Sequence, residues 1–265
     1  MADLVFPQLT SGALAQFPIR KQKFARTVKN MLQDGTLILY PDPNGNRIVW
    51  ELMYLELSVV DAQALQSHFQ NCAGPFKAFT FIDPTENMLS YSADLTASAW
   101  QCASGLKLAA GDSDPAGGTG AFTLANAAQA TVAISQTLAV PSGFQFCFSV
   151  YVCSAQRTTV TLNRTGPQNN ALSTYDVGPA WTRLTSSGRL SDPGTTLSVG
   201  ISVGAGQQIQ VFGPQLEAQV EPSRYRPTAA QGGVYANAHW AVDQLPLIAE
   251  APNLFSTSFS IESMA

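Results

Sequence analysis

The sequence predicts a mainly β protein with one α-helix, and three observations carry that expectation. Phe144, Phe146, Phe148, Val150 and Val152 alternate with Gln145, Cys147, Ser149, Tyr151 and Cys153, the period of a strand with one face in a core. Candidate strands at 121–125, 130–138, 144–153, 157–163, 181–187, 196–203 and 208–213 are separated by turn residues. Short strands at that spacing describe a β-sandwich or jelly roll. Charged residues make up only 12% of the 265, while Ser, Thr, Gly, Gln and Asn are frequent. Such a mix suits sheets whose solvent faces are polar but uncharged.

The elements outside that run follow in order. Thr36–Tyr40 reads as a strand, Pro41-Asp42-Pro43-Asn44-Gly45-Asn46 as a turn, and Arg47–Leu57 as the returning strand of a hairpin, since Asn-Gly readily takes positive φ. Ser58-Val59-Val60-Asp61 has the form of a capping box with Asp in place of Glu. Leu65 and Phe69, flanked by Ala62 and Cys72, then mark one face of a helix over about 59–72. Gly74-Pro75 ends it. Phe79–Ile82 is a strand closed by an Asp83-Pro84 turn, and Phe255–Glu262 alternates as a final strand.

Composition bounds the function. Lys plus Arg total 14 and Asp plus Glu 18, a net charge of −4, which argues against nucleic-acid specificity or attraction to anionic membranes. Apolar content is ordinary at 45%, so disorder is not expected. No apolar run of about 18 residues marks a membrane span, and no membrane insertion is expected. Met1-Ala2-Asp3-Leu4-Val5-Phe6-Pro7 lacks the basic and apolar regions of a signal peptide, so folding in a cytoplasm is expected. Cys72, Cys102, Cys147 and Cys153 show no metal-ligand spacing and are expected to be free thiols. Cys147 and Cys153 share a strand face but lie about 20 Å apart, too far to bond.

Charge is uneven along the chain. Residues 1–87 carry 15 of the 32 charges, and residues 229–265 carry only Asp243, Glu250 and Glu262. A strand ending at Asp83-Pro84 and one resuming near Val234 can be sheet neighbours if a separate domain loops out between them. The expected organisation is therefore a discontinuous β domain (1–87 and 229–265) with an inserted domain at 88–228; two domains in series is the alternative.

Two stretches carry a resemblance. The middle region opens Asn87-Met88-Leu89-Ser90-Tyr91-Ser92-Ala93-Asp94-Leu95, with Trp100 soon after. It closes Gln215-Leu216-Glu217 followed by Ser223-Arg224-Tyr225-Arg226-Pro227-Thr228. This resembles the carbohydrate-binding-module-like jelly rolls of phage tail and fibre proteins, and Phe146–Val152 is similar to their central strand. The flanking region, through Trp50-Glu51-Leu52, Leu57-Ser58, Phe79–Pro84 and Phe259-Ser260-Ile261-Glu262, resembles phage distal tail proteins, the tail-tip hub. A departure is the short return after the insert, so a complete second tail-tip domain looks absent.

The resemblance implies a β-barrel or sandwich hub domain with one helix, in a ring of six copies around the tail axis. The partners implied are its own copies, tail tube and tail-tip proteins, and host cell-surface polysaccharide. The place implied is the virion tail tip, assembled in the host cytoplasm. A stand-alone lectin-like adhesin and a polysaccharide-degrading tail enzyme are the alternatives.

Chemistry-bearing motifs are sparse. His68 and His239 are the only histidines, and neither lies near a nucleophile motif. Glycoside hydrolysis needs a carboxylate pair, and none stands out among Asp94, Asp112, Asp114, Asp176, Asp192, Glu217 and Glu221. Asp112-Ser113-Asp114 suits either a calcium site or an Asx turn. No catalytic residue, cofactor or metal site is assigned. Trp100, Tyr151, Tyr175 and Trp181 are possible sugar platforms, although in similar modules Trp181 packs inside. The glycan candidates are Tyr175, Asn169, Asn170 and Arg164, in a polar stretch between strands. Arg20, Lys21, Lys23, Arg26 and Lys29 form a basic run read as an assembly surface, with a solvated edge as the alternative.

Overall fold

A computed structural model describes residues 4–264. The mainly β expectation holds: strands arranged in three antiparallel-paired sheets accompany one helix. In order these are β1 (Arg20–Met31), β2 (Leu37–Leu57), α1 (Val59–Cys72), β3 (Phe79–Ile82), β4 (Gln101–Cys102), β5 (Leu106–Asp112), β6 (Ala121–Asn126), β7 (Val132–Leu138) and β8 (Phe146–Cys153). Then come β9 (Thr158–Thr165), β10 (Asn170–Val177), β11 (Thr182–Gly188), β12 (Leu197–Val203), β13 (Gln208–Glu217), β14 (Val234–Trp240), β15 (Ile248–Ala251) and β16 (Leu254–Met264). The chain divides into two compact units, Met1–Ile82 with Tyr235–Ala265, and Asp83–Val234.

The first unit is a sheet ordered β1-β2-β16-β14-β3, with β15 added on β16. Strands on either side of the insert, β3 and β14, are neighbours in it. Its core is aromatic. Trp50, Tyr54, Phe81 and Trp240 are fully buried, and Phe6, Phe79 and Phe259 nearly so. Helix α1 begins at Ser58, whose Oγ accepts from the Asp61 N–H at 3.1 Å and donates to Asp61 Oδ2 at 2.7 Å. The Asp61 carboxylate also accepts from the amide and hydroxyl of Thr10, so the capping box extends to a third segment. Ala73, in the left-handed region at φ 53°, ends the helix ahead of Gly74.

The predicted hairpin is corrected. Residues 41–46 do not turn; β2 runs through them, and the reversal occurs at Leu32–Thr36. There Gly35 takes φ +84° and Asp34 Oδ1 accepts the Thr36 N–H at 2.9 Å. The pairing slips between Phe24↔Arg47 and Arg26↔Asp42, so Pro43–Asn46 form a bulge. Pro41 and Pro43 lack ladder donors, which an edge or a bulge tolerates. The hairpin partner of β2 is thus the basic run itself, in β1.

The second unit is a sandwich of two sheets, ordered β10-β9-β12-β7-β4 and β11-β8-β13-β6-β5. Inward positions are mostly branched aliphatics, among them Val150, Val152, Val160, Leu162, Ile201 and Val211. Three strands of this unit escaped the sequence reading. Gln101–Cys102 and Leu106–Asp112 are edge pieces, and Asn170–Val177 is an edge strand whose outer positions are Asn170, Leu172, Thr174 and Asp176. The polar stretch 163–175 is therefore mostly a hairpin, β9 to β10, with a short loop at 166–169.

The unit's chain ends meet. Asp83 N–H donates to Gly233 O at 2.8 Å, and Gly233 N–H to Asn87 O at 2.8 Å. The Asn87 side chain, fully buried, accepts the Leu89 and Leu216 amides at 3.1 Å each and donates to Pro214 O at 3.0 Å.

Candidate functional site

Two surfaces stand out, one on each unit. On the first, the outer part of the β1–β2 pair is a two-stranded ribbon. Pairing of β16 with β2 runs from Arg47 to Leu57, so residues 37–46 have only β1 beside them. Register puts Val28 opposite Tyr40 and Asn30 opposite Ile38, on the same face as Arg26 and Asp42. The other face carries Met31 opposite Leu37 and Lys29 opposite Leu39. Met31 is 77% exposed, and Val28, Leu37, Leu39 and Tyr40 are exposed too. A two-stranded ribbon is marginal in water by itself, and this one shows apolar side chains on both faces.

All five basic assembly candidates lie on β1. Arg20 pairs with Glu51 at 3.4 Å and Arg26 with Asp42 at 3.3 Å. Lys21 Nζ lies 5.6 Å from the Trp50 ring centroid. Lys23 and Lys29 are exposed on the edge strand, where lysine also discourages unwanted strand pairing.

On the second unit, the glycan candidates have mixed fates. Arg164 is only 4% exposed. Its Nε donates to Ser186 Oγ at 3.0 Å and its NH1 to Gly188 O at 2.5 Å. It is an inward position of β9, since strand alternation puts it on the same face as Leu162, and it is unavailable to a ligand as it stands. Burial pulls its guanidinium pKa below the usual value. Tyr175 is half-buried on the inward side of β10, its hydroxyl donating to Thr185 O. Asn169 is exposed, with its carboxamide on Ser191 O. Asn170 is exposed at the start of β10.

Among the possible platforms, Trp100 is buried and donates to Tyr91 O at 3.0 Å. Trp181 is half-buried rather than packed inside, because it sits just ahead of β11 instead of on an inward row. Tyr151 is half-buried with the Arg183 guanidinium 5.3 Å from its centroid.

What sequence reasoning missed is a face. The outward positions of β9, β10, β12 and β7 bring together Thr161, Asn163, Thr174, Ser202, Ser135 and Thr137. Thr161 and Thr174 hydroxyls lie 3.1 Å apart, and Asn163 donates to Ser202 Oγ at 2.7 Å. Asn163 Oδ1 is buried without a partner. Gly200 lies in the middle row between Asn163 and Ser135, and a Cβ there would sit 2.9 Å from Ile134 O. The face is uncharged at its centre, with Leu172 62% exposed at one side. Only the pairing register could have revealed it, because its members come from four separate strands.

The closing motif is structural. Gln215 Oε1 accepts the Arg226 amide at 2.7 Å and its Nε2 donates to Glu217 Oε2 at 2.7 Å. Glu217 accepts the Ser223 amide at 2.9 Å and hydroxyl at 2.5 Å. Thr228 N–H donates to Ser92 Oγ at 2.9 Å. The other acids also serve the backbone or nearby hydroxyls. Asp192 accepts amides of Gln168, Asn169 and Gly194 at 2.7–2.8 Å and the Ser142 hydroxyl at 3.0 Å. These bonds outweigh the opposing desolvation and hold its pKa below the usual carboxylate range. Asp114 accepts three turn amides, from Ala116, Gly118 and Gly120, and Asp112 accepts from Thr123 at 2.6 Å. The Asx-turn reading of this segment fits those bonds. Among the described residues there is no cluster of three or more His, Cys, Asp or Glu placed to hold a metal.

No protein-family model and no curated protein matches the chain. Solved structures do. The C-terminal family 22 carbohydrate-binding module of Clostridium thermocellum Xyn10B is 17% identical, over 52% of this chain and 94% of that one, with a TM-score of 0.40. A xylan-binding domain from the same module family is 15% identical over 52% and 100%, with a TM-score of 0.42. The enzymatically active domain of tailspike protein 4 from bacteriophage CBA120 is 14% identical over 52% of this chain, with a TM-score of 0.41; the chain spans 22% of that tailspike's length.

Proposed function

We propose that this chain is a structural protein of a phage tail tip, closing into a ring through its first unit and presenting the second to host polysaccharide. The observation that carries the reading is the β1–β2 ribbon, with apolar side chains on both faces, two free edges and a basic strand. A surface of that kind is stable when another protein covers it. Head-to-tail covering between identical copies closes a ring when the rotation permits, and the tail-tip resemblance supplies six copies. Tube and tip proteins would contact the ring's two ends.

The uncharged hydroxyl and amide face around Gly200 supports sugar contact by the inserted unit. Each site would be weak, at about millimolar affinity or −4 kcal/mol, because hydroxyls exchange water bonds for protein bonds at small net gain. A ring multiplies such sites. The reading involves no bond breaking, cofactor or metal. Light scattering of the purified chain, or particle imaging of assembled tails, tests the ring. A stable monomer whose Val28→Lys/Leu39→Lys variant still assembles into tails would sink it and leave the lectin-like reading.

A further inference from the structure

One end of the sandwich, where β8 passes to β9 and β12 to β13, holds a cavity of about 490 Å³. Ser154, Gln156, Arg157, Thr158, Gln207 and Gln208 are among its lining residues. It shares no residue with the Gly200 face. Both loops that form it are held by the fold. Ser154 N–H donates to Gly178 O at 2.8 Å and its hydroxyl to Gln208 O at 2.9 Å. Gln207 O accepts the Asn126 amide at 2.9 Å. A site built on loops already fixed loses little ordering entropy on binding.

The lining has an unusual chemistry. It offers several carboxamides, hydroxyls and one guanidinium, and contains no Asp or Glu. Two of its groups, Thr158 Oγ1 and Gln207 Oε1, are buried without a hydrogen-bond partner. Such groups cost stability and are rare in folded proteins. One is a hydroxyl that both donates and accepts, and the other is a pure acceptor. Both atoms are closed off from the cavity, so a ligand meets the exposed carboxamides of Gln156 and Gln208, which suit hydroxyls. Arg157, exposed at the cavity, adds a cation with no lining carboxylate to neutralise it, and guanidinium binds carboxylate in a bidentate fork.

We propose that this cavity binds one acidic sugar unit of the uronic-acid class. The sugar hydroxyls pair with the carboxamides of Gln156, Gln207 and Gln208, and the carboxylate meets Arg157. Cavities of this size hold small ligands. The inference rests on the reading of the inserted unit as a glycan binder and assigns it a second site with a charged specificity.

The test uses the full chain, titrated with glucuronate and galacturonate, with glucose and galactose as neutral counterparts and acetate as a bare carboxylate. Amide and side-chain NMR shifts report both affinity and place. Uronates are expected to bind about tenfold more tightly than the neutral sugars, with shifts at 154–158 and 206–210. Arg157→Gln should remove that preference, and Gln207→Ala should weaken uronate and neutral sugar alike. Thr161→Ala, on the Gly200 face, should leave the shifts at 154–158 and 206–210 and the uronate preference there unchanged. Equal binding of uronate and acetate, equal binding of uronate and glucose, or uronate shifts confined to the Gly200 face would overturn the site. In the last case the glycan-binding reading survives. A chain that shifts with no saccharide overturns the cavity site, and cell binding by the multimerised inserted unit then decides the glycan reading separately.

Discussion

The first unit is held by rings, and the inserted unit by branched aliphatics and a hydrogen-bonded seam. Around Trp240 lie Phe6 at 5.9 Å, Phe69 at 5.2 Å and Phe259 at 4.5 Å between centroids. These residues come from both sides of the insert, at positions 6 and 69 before it and 240 and 259 after it. No continuous piece of the first unit therefore contains its own core, and the return segment after the insert is indispensable to it. The inserted unit is the reverse case. Its core positions fall within one continuous stretch, and its two ends are tied by Asn87, bonded to Pro214 and Leu216, and by Thr228, bonded to Ser92 and Leu89. The difference teaches that a discontinuous domain depends on long-range ring packing, whereas an inserted one needs a seam that closes where it leaves its host.

The sharpest way to break this comparison is Trp240→Ala. The side chain is fully buried, and removing it should cost about 3–5 kcal/mol. Calorimetry should show one transition moving down and the transition of the inserted unit unmoved; a shift of both equally would refute the independence of the two cores.

Acid gives the next largest effect. His68 is 7% exposed, lies against Phe6 and Phe79, and its Nδ1 accepts the Trp240 indole N–H at 3.2 Å. Burial pushes its pKa down to about 4 from 6.5. The unfolded chain therefore takes up this proton first, so stability falls as pH drops from 6.5 to 4 and the effect levels off below 4. The loss should reach about 3 kcal/mol, in the first unit alone, since the inserted unit contains no histidine. Melting both transitions across that window checks it.

Asn87→Ala should weaken only the inserted unit, by about 2–3 kcal/mol, because the Leu89 and Leu216 amides lose their acceptor in a buried place. A related comparison concerns boundaries. A fragment of residues 83–234 should fold and melt cooperatively, while one of 88–228 should be less stable for want of Asn87. Equal melting of the two would show that the seam contributes nothing. The smallest effect is expected on the ribbon, where Arg26→Ala should change monomer stability by about 0.5 kcal/mol or less, the worth of an exposed ion pair. A larger loss in assembled rings than in monomers would mark that strand as an interface.

Much of the fold was legible in local sequence. Phe146–Cys153 announced itself by alternation, and α1 by Ser58, Asp61 and the Ala62, Leu65 and Cys72 spacing. Both signals arise within a few residues, from backbone period and from capping. The turn was misplaced because two Asx-Gly pairs compete, Asp34-Gly35 and Asn44-Gly45. Only the first has its glycine at positive φ, and that outcome depends on which strand β2 finds as a partner. Asn170–Val177 was missed because an edge strand has little core pattern to show.

The candidate site divides in the same way. The sequence by itself determined a mainly β chain, its one helix, its low charge and its closing motif, since these depend on residue type and near spacing. Tertiary structure decided the inward place of Arg164, the hydroxyl face around Gly200, the cavity at 154–158 and 206–210, and the two-faced ribbon. Each of those depends on strand register and on residues far apart in the chain, and a shift of one position would turn every side chain of a strand to the opposite face.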